Sequence, residues 1–205
     1  MSNTDLRKTY NRIAKDYLED HKGDTWDDNY IQHFTDALKK NAKVLDLGCG
    51  PGVDSAKLVS NGLNVEGLDL SDELLVIARK LNPGQNFTQG DMRKLPYSSD
   101  IFDGVFAKAS LLHIPKKDIP TVLDEVWRVL KDNGIVHFAL KSGEGEDVLT
   151  EDDYGYEYSR FFSFWDMNDF VKELKKHSFE ILRAETEKKS RSGHTIWIKI
   201  IAKKA

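Results

Sequence analysis

One cysteine, Cys49, stands in 205 residues. It excludes an internal disulfide and a cysteine-rich zinc centre. The six histidines show no metal-ligand spacing, and no metal is expected. Five prolines and 14 glycines are ordinary numbers, which excludes collagen-like and low-complexity chains. No stretch approaches the roughly 18 apolar residues of a membrane span, so no membrane partner is expected. The opening MSNTDLRKTY lacks the apolar core of a secretory signal. A basic excess is also missing. Thirty Lys plus Arg face 34 Asp plus Glu, a net charge of −4, so no nucleic-acid partner is expected. These absences lead to the expectation of a soluble, cytoplasmic, globular chain. Hydrophobic residues at 40% and charged residues at 31% allow one sizeable core.

Short apolar runs alternate with longer amphipathic stretches. The pattern predicts strands over 44–47, 64–70, 86–89, 101–107 and 135–140. Helices are expected over 53–59, from the Ser71 N-cap to about 81, and over 119–130. Strand–helix alternation of this kind implies parallel strands joined by helical crossovers, an α/β fold. Beyond residue 141 the order changes. A helix over 166–177, capped by Asp166, is followed by strands over 179–185 and 195–202 with only the loop 188–193 between them, an antiparallel pair. Two helices precede the first strand, one carrying Leu6, Tyr10, Ile13, Ala14 and Tyr17 on one face, the other over 28–38. They are placed to cover a site. No internal repeat or linker divides the chain, so 1–205 reads as a single domain.

The segment VLDLGCGPG at 44–52 carries most chemical information. A buried strand runs into the turn Gly48, Cys49, Gly50, Pro51, Gly52, which opens a helix. Glycines allow a sharp turn and let a ligand approach without a Cβ in its way. Ligands of parallel sheets sit at the C-terminal ends of the strands. A phosphate-binding P-loop needs Gly-Lys-Ser/Thr, which is missing. The dinucleotide fingerprint needs a third glycine where Val53 stands. Asp46 at the strand end would repel a pyrophosphate but could hold an ammonium group or hydroxyls. Asp69, ending the second strand, can accept both hydroxyls of a ribose. Asp91 beside Met92 suits a purine edge with an exocyclic amine, although Gly90-Asp91 alone is an ordinary turn.

VLDLGCGPG, GLDLS at 67–71, QGDM at 89–92 and FDGVFAKASLLHIP at 102–115, followed by NGIVHF, resemble a class I S-adenosylmethionine-dependent methyltransferase. The likeness is to the small-molecule type with a ubiquinone/menaquinone-methyltransferase-like core. It implies a Rossmann-like, doubly wound, mostly parallel sheet of about seven strands, with a C-terminal antiparallel hairpin and helices on both faces. It divides the chain into cofactor-covering helices over 1–41, a cofactor core over 42–141, an acidic and aromatic lid over 142–165, and a terminal helix and hairpin over 166–205. The implied cofactor is S-adenosyl-L-methionine, with S-adenosyl-L-homocysteine as product and a small-molecule methyl acceptor as partner. Asp46 and the backbone of Gly48, Cys49, Gly50 and Gly52 should face its methionine part. Asp69 should hold the ribose, Leu70 should lie against the adenine, and Asp91 with the Met92 backbone should bind the ring. The Ala107 carbonyl should meet the methionine ammonium, with Tyr10 and Tyr17 on the covering helix. Lys108 departs from the small or uncharged residue of many relatives. An Asn/Asp-Pro-Pro-Tyr motif after the fourth strand is missing, which speaks against amide methylation of adenine or glutamine.

Histidine titrates near neutral pH, so His113, just past the fourth strand, is the candidate general base, against an alternative role as a structural turn residue. Residues 144–157 hold seven carboxylates with no Lys or Arg. As a lid they would favour a cationic or polar acceptor; as solvated surface they would do nothing of the kind. The aromatic stretch 160–165 could line an acceptor pocket. The rival readings are a nucleotide-binding oxidoreductase, a methyltransferase of protein or RNA, and a non-catalytic cofactor-binding domain.

Overall fold

The computed structural model describes residues 3–188 and 195–205. Two helices come first, α1 (Asn3–His21) and α2 (Asp28–Asp36). Five alternating strands and three helices follow: β1 (Lys43–Leu47), α3 (Val53–Ser60), β2 (Asn64–Asp69), α4 (Asp72–Leu81), β3 (Asn86–Gln89), β4 (Phe102–Lys108), α5 (Ile119–Val129) and β5 (Leu130–Lys141). Last come β6 (Glu146–Glu151), β7 (Tyr158–Ser163), α6 (Met167–Lys176), β8 (Phe179–Lys188) and β9 (Ile196–Lys204).

The main sheet has seven strands in the order β3-β2-β1-β4-β5-β9-β8. The first five are parallel and the last two antiparallel, as expected. The order reverses between β1 and β4, which opens a crevice at their C-terminal ends. Each face of the sheet buries a cluster of its own. Val105 packs with Val122, Leu123 and Phe138, whereas its neighbour Phe106 packs with Tyr30, Phe34 and Val65. Successive strand residues point to opposite faces, so both faces need helices. The α5 stripe of Ile119, Val122, Leu123, Val126 and Val129 is wholly buried. Each such side chain contributes roughly 1.5–3 kcal/mol.

The caps follow the sequence. Ser71 Oγ accepts from the Leu74 N–H at 3.2 Å. Asp166 accepts from the N–H groups of Asn168 and Asp169 at 2.8 and 3.3 Å. The fifth strand, expected over 135–140, begins at Leu130 and is interrupted at 132–134. Leu130 pairs with Phe102, Asn133 takes φ 62°, and regular pairing resumes at Ile135. Most of the expected loop 188–193, with Lys189 and Arg191, lies outside the described residues, as does His194.

Residues 142–165, expected as one long loop, form a separate two-stranded antiparallel sheet, β6 with β7. Its base is closed by the Gly143 N–H donating to Trp165 O at 3.0 Å and the Trp165 N–H to Lys141 O at 3.1 Å. Its outer strand leans on α1, where Thr9 Oγ1 donates to Ser159 O at 3.1 Å and the Tyr156 hydroxyl to Asp16 at 2.6 Å.

Candidate cofactor and acceptor site

The glycine turn leaves β1 at the crevice. Gly48, Gly50 and Gly52 have φ of 79°, 52° and 79°, a region that glycine alone enters cheaply. Space is as tight as conformation. A Cβ on Gly48 would stand 2.3 Å from Ser110 Cβ, and one on Gly52 3.1 Å from Ala78 Cβ. The turn is fastened to β2, because Leu68 O accepts from the N–H groups of Gly48 and Cys49 at 2.7 and 3.1 Å. The Cys49 side chain packs with Leu75, Ala78 and Phe87, and burial pushes its thiol well up. Its contribution to the crevice is therefore backbone.

Asp69 stands where expected, at the end of β2. One carboxylate oxygen accepts from the Gly50 N–H at 2.9 Å, the other from the Ser71 N–H at 2.8 Å. Burial raises its pKa, opposed by those two amides. A narrow pocket of about 80 Å3 gathers Asp69 and Leu70 with Gly90, Asp91 and Met92, under Tyr10 and Tyr17 of α1. Asp91 is not idle there: Arg93 grips it through Nε and Nη2 at 2.8–3.2 Å and reaches Asp118 at 2.9 Å. Ser110, missed by the sequence reading, also lines this pocket, and its buried hydroxyl has no hydrogen-bond partner.

Three expected residues lie elsewhere. Gly52 is spent on the helix start, against Asn82 and Ala78. Asp46 is buried beneath the turn, where Ser55 Oγ donates to it at 2.5 Å. Burial, reinforced by Asp54, pushes its pKa up to about 7. Ala107 is fully buried within β4, which continues to Lys108, and the rim residues are Lys108 and Ala109. Lys108 holds both oxygens of Asp54 at 2.9 Å and lies over the Trp26 ring at 4.6 Å, so it ties β4 to the first turn of α3.

A second cleft of about 500 Å3 continues from the first and shares Tyr10, Tyr17, Gly48, Gly50, Ala109 and His113 with it. Aromatic walls come from Trp26, Trp197 and Phe162. Of the aromatic stretch 160–165, Arg160 and Phe162 reach this cleft, whereas Trp165 packs on Phe170. His113 is fully engaged. Phe161 O can only accept, so Nδ1 carries the proton and donates to it at 2.7 Å. Nε2 then accepts from the Tyr10 hydroxyl at 2.6 Å. Burial, with Arg160 and Lys141 nearby, pushes the imidazole down to about 3. Arg160 pairs with Glu151 through two contacts of 2.6 and 2.7 Å and donates to the Tyr10 oxygen at 3.4 Å. Of the seven carboxylates over 144–157, Asp153 reaches the cleft; Glu151 is turned to Arg160 and Glu146 to the Lys116 N–H.

These features fit a nucleoside. The pocket offers apolar walls in Leu68, Leu74 and Ile114, the half-buried carboxylate of Asp69 and the orphaned hydroxyl of Ser110. Residues 44–134 match the methyltransferase-domain family. The matched stretch, from β1 into β5, is similar to the core of a methyltransferase domain. The ubiquinone/menaquinone subtype is not singled out. The chain is 35% identical over 112 residues to malonyl-[acyl-carrier protein] O-methyltransferase of Erwinia billingiae, covering 55% of this chain and 44% of that protein. It spans under half the length of the curated relatives it matches. Two solved structures share the fold, each with a TM-score of 0.74. One is an S-adenosylmethionine-dependent methyltransferase of Methanosarcina mazei, at 24% identity over 85% of this chain and 96% of that one. The other is the 1,6-didemethyltoxoflavin-N1-methyltransferase of Burkholderia thailandensis with S-adenosylhomocysteine bound, at 17% identity over 98% and 88%.

Proposed function

We propose that this protein moves a methyl group from S-adenosylmethionine to a small-molecule acceptor by in-line displacement. The observation that carries this reading is the adjacency of the two cavities, a narrow pocket around Asp69, Leu70 and Met92 that shares its rim with an aromatic cleft. When bound, the cofactor supplies an electrophilic methyl on its sulfonium. The chain's own work is placement and exclusion of water. Asp69 holds the ribose hydroxyls, Leu70 and Met92 flank the base, and Asp91 with its Arg93 partner meets the base edge. Tyr10 and Tyr17 roof the junction. His113 orients the Tyr10 hydroxyl through Nε2 and stays neutral at physiological pH, because its pKa lies at about 3. It acts as a positioning group rather than a proton sink. An acceptor that needs no deprotonation suits such a site. The 142–165 segment covers the acceptor as a hinged hairpin.

Thermal unfolding with S-adenosylhomocysteine and with NAD tests the cofactor. A ligand at about 100 times its dissociation constant adds roughly 2.7 kcal/mol. S-adenosylhomocysteine is expected to stabilise and NAD to do nothing. Equal stabilisation by NAD refutes the reading. A screen of small acceptors with methyl-labelled cofactor then tests turnover.

A further inference from the structure

Three cations face the 500 Å3 cleft at its acceptor end, and two are matched. Lys108 is held by Asp54 and Arg160 by Glu151. The third, Lys141, ends β5 at the crevice rim, paired in register with Trp197. Its ammonium sits over the Phe162 ring at 4.0 Å, and the Arg160 guanidinium lies over the same ring at 5.3 Å. Among the described residues no carboxylate comes within ion-pair distance of Lys141. The four acids that share the cleft have other partners: Asp54 has Lys108, Asp20 sits against His21, Asp153 accepts from the Tyr158 hydroxyl, and Asp24 is engaged as well.

A half-buried cation without a counter-ion is costly, and a second cation beside it adds to the cost. Burial and the Arg160 charge together lower the Lys141 ammonium below its ordinary range, opposed in part by the more distant Glu151. The Phe162 ring offsets part of that cost, and a bound anion would offset more.

Resting on the methyl-transfer reading above, we propose that Lys141, flanked by Arg160, seats a carboxylate carried by the acceptor. The rest of that acceptor is a flat apolar body lying against Trp26, Trp197 and Phe162. This reverses the preference expected from the acidic run over 144–157, whose charges mostly face away from the cleft.

The test uses matched pairs of aromatic acids and their primary amides: benzoate and benzamide, phenylacetate and phenylacetamide, indole-3-acetate and its amide. Ligand-observed NMR titrates each against the full chain, free and saturated with S-adenosylhomocysteine. The acid is expected to bind at least tenfold more tightly than its amide. Lys141→Met should erase that difference and Lys141→Arg should restore it, with S-adenosylhomocysteine affinity the same in all three proteins. If acid and amide bind equally in every pair, or if neither member of any pair binds, the proposal is overturned. A preference that survives in Lys141→Met also overturns it. Loss of S-adenosylhomocysteine binding in the wild type would instead defeat the methyl-transfer reading, and the free-protein titration would still decide the carboxylate seat.

Discussion

The two ends of the cleft are built on different principles. The nucleoside end is made from contiguous backbone: a glycine turn, two strand ends and the amides that hold Asp69. Its parts lie within a few residues of strand termini. The acceptor end is made from side chains brought together over long distances. Tyr10 meets His113 across 103 residues and Arg160 across 150. The first construction tolerates little change, because backbone conformation and close packing are set together. The second can be edited one side chain at a time. That difference teaches where a shared core ends and individual specificity begins.

The sharpest way to break this contrast is at Gly48. A left-handed conformation costs a non-glycine residue about 1–2 kcal/mol, and overpacking adds about 1–3. Gly48→Ala, with its Cβ driven into Ser110, should lose about 2–5 kcal/mol in urea unfolding. A stability equal to wild type would mean that the turn is soft. Next is Asp69→Ala. Hydrogen bonds to a charged group contribute about 1.5–3 kcal/mol, so S-adenosylhomocysteine affinity should fall at least about tenfold by calorimetry. Unchanged affinity would place the ribose elsewhere.

On the acceptor side, Tyr10→Phe leaves His113 Nε2 buried without its donor. Once an acceptor is known, kcat should drop by about tenfold, a cost of about 1.4 kcal/mol, with S-adenosylhomocysteine affinity changed less than about threefold. The pH profile of kcat should show no limb near 6.5 in either protein, because His113 is already neutral there. Such a limb would give the imidazole a titrating role.

Asp46 carries a pH signature. Its folded pKa, about 7, lies above the unfolded value near 3.8, so the folded state binds the extra proton between them. That contribution is present at low pH and is lost as pH rises through about 4 to 7. Asp46→Asn keeps an acceptor for Ser55 and removes the titration. The free protein should then gain about 1–2 kcal/mol at pH 8, with a flatter profile below 7. A loss of stability at pH 8 would instead mean that the carboxylate is stabilised as an anion. The smallest expected effect is in the β6–β7 hairpin, where amide exchange over 146–163 should slow a few-fold when acceptor and S-adenosylhomocysteine are both bound. No response would make the hairpin static packing.

The α/β core was legible because short apolar runs, glycine punctuation and good caps all act locally. Asp69 and the glycine turn were legible for the same reason. Other features depend on the neighbours that tertiary packing supplies. Asp46 occupies the expected strand end but points beneath the turn toward Ser55, a direction that motif spacing does not encode. The β6–β7 hairpin was hidden because charges break the alternation of Glu146–Glu151, and its pairing with Tyr158–Ser163 supplies the missing regularity. The engagement of His113 was invisible, since both its partners are remote in sequence.

The first helix has a consequence for timing. It roofs both cavities with Tyr10 and Tyr17 and is pinned to α4 by Arg7 and Asn11, both on Asp72, at 3.0 and 2.7 Å. The space beneath it, about 80 Å3, is well below the roughly 300 Å3 at which small-molecule sites begin. On the proposed reading, a nucleoside would enter only as the helix rises. Observed association rates should climb with ligand concentration and then level off at the helix's own opening rate. The Arg7–Asp72 pin is exposed, so added salt weakens it and lifts that ceiling. On that reading the speed of capture would be a property of the roof, and the tightness of capture a property of the floor.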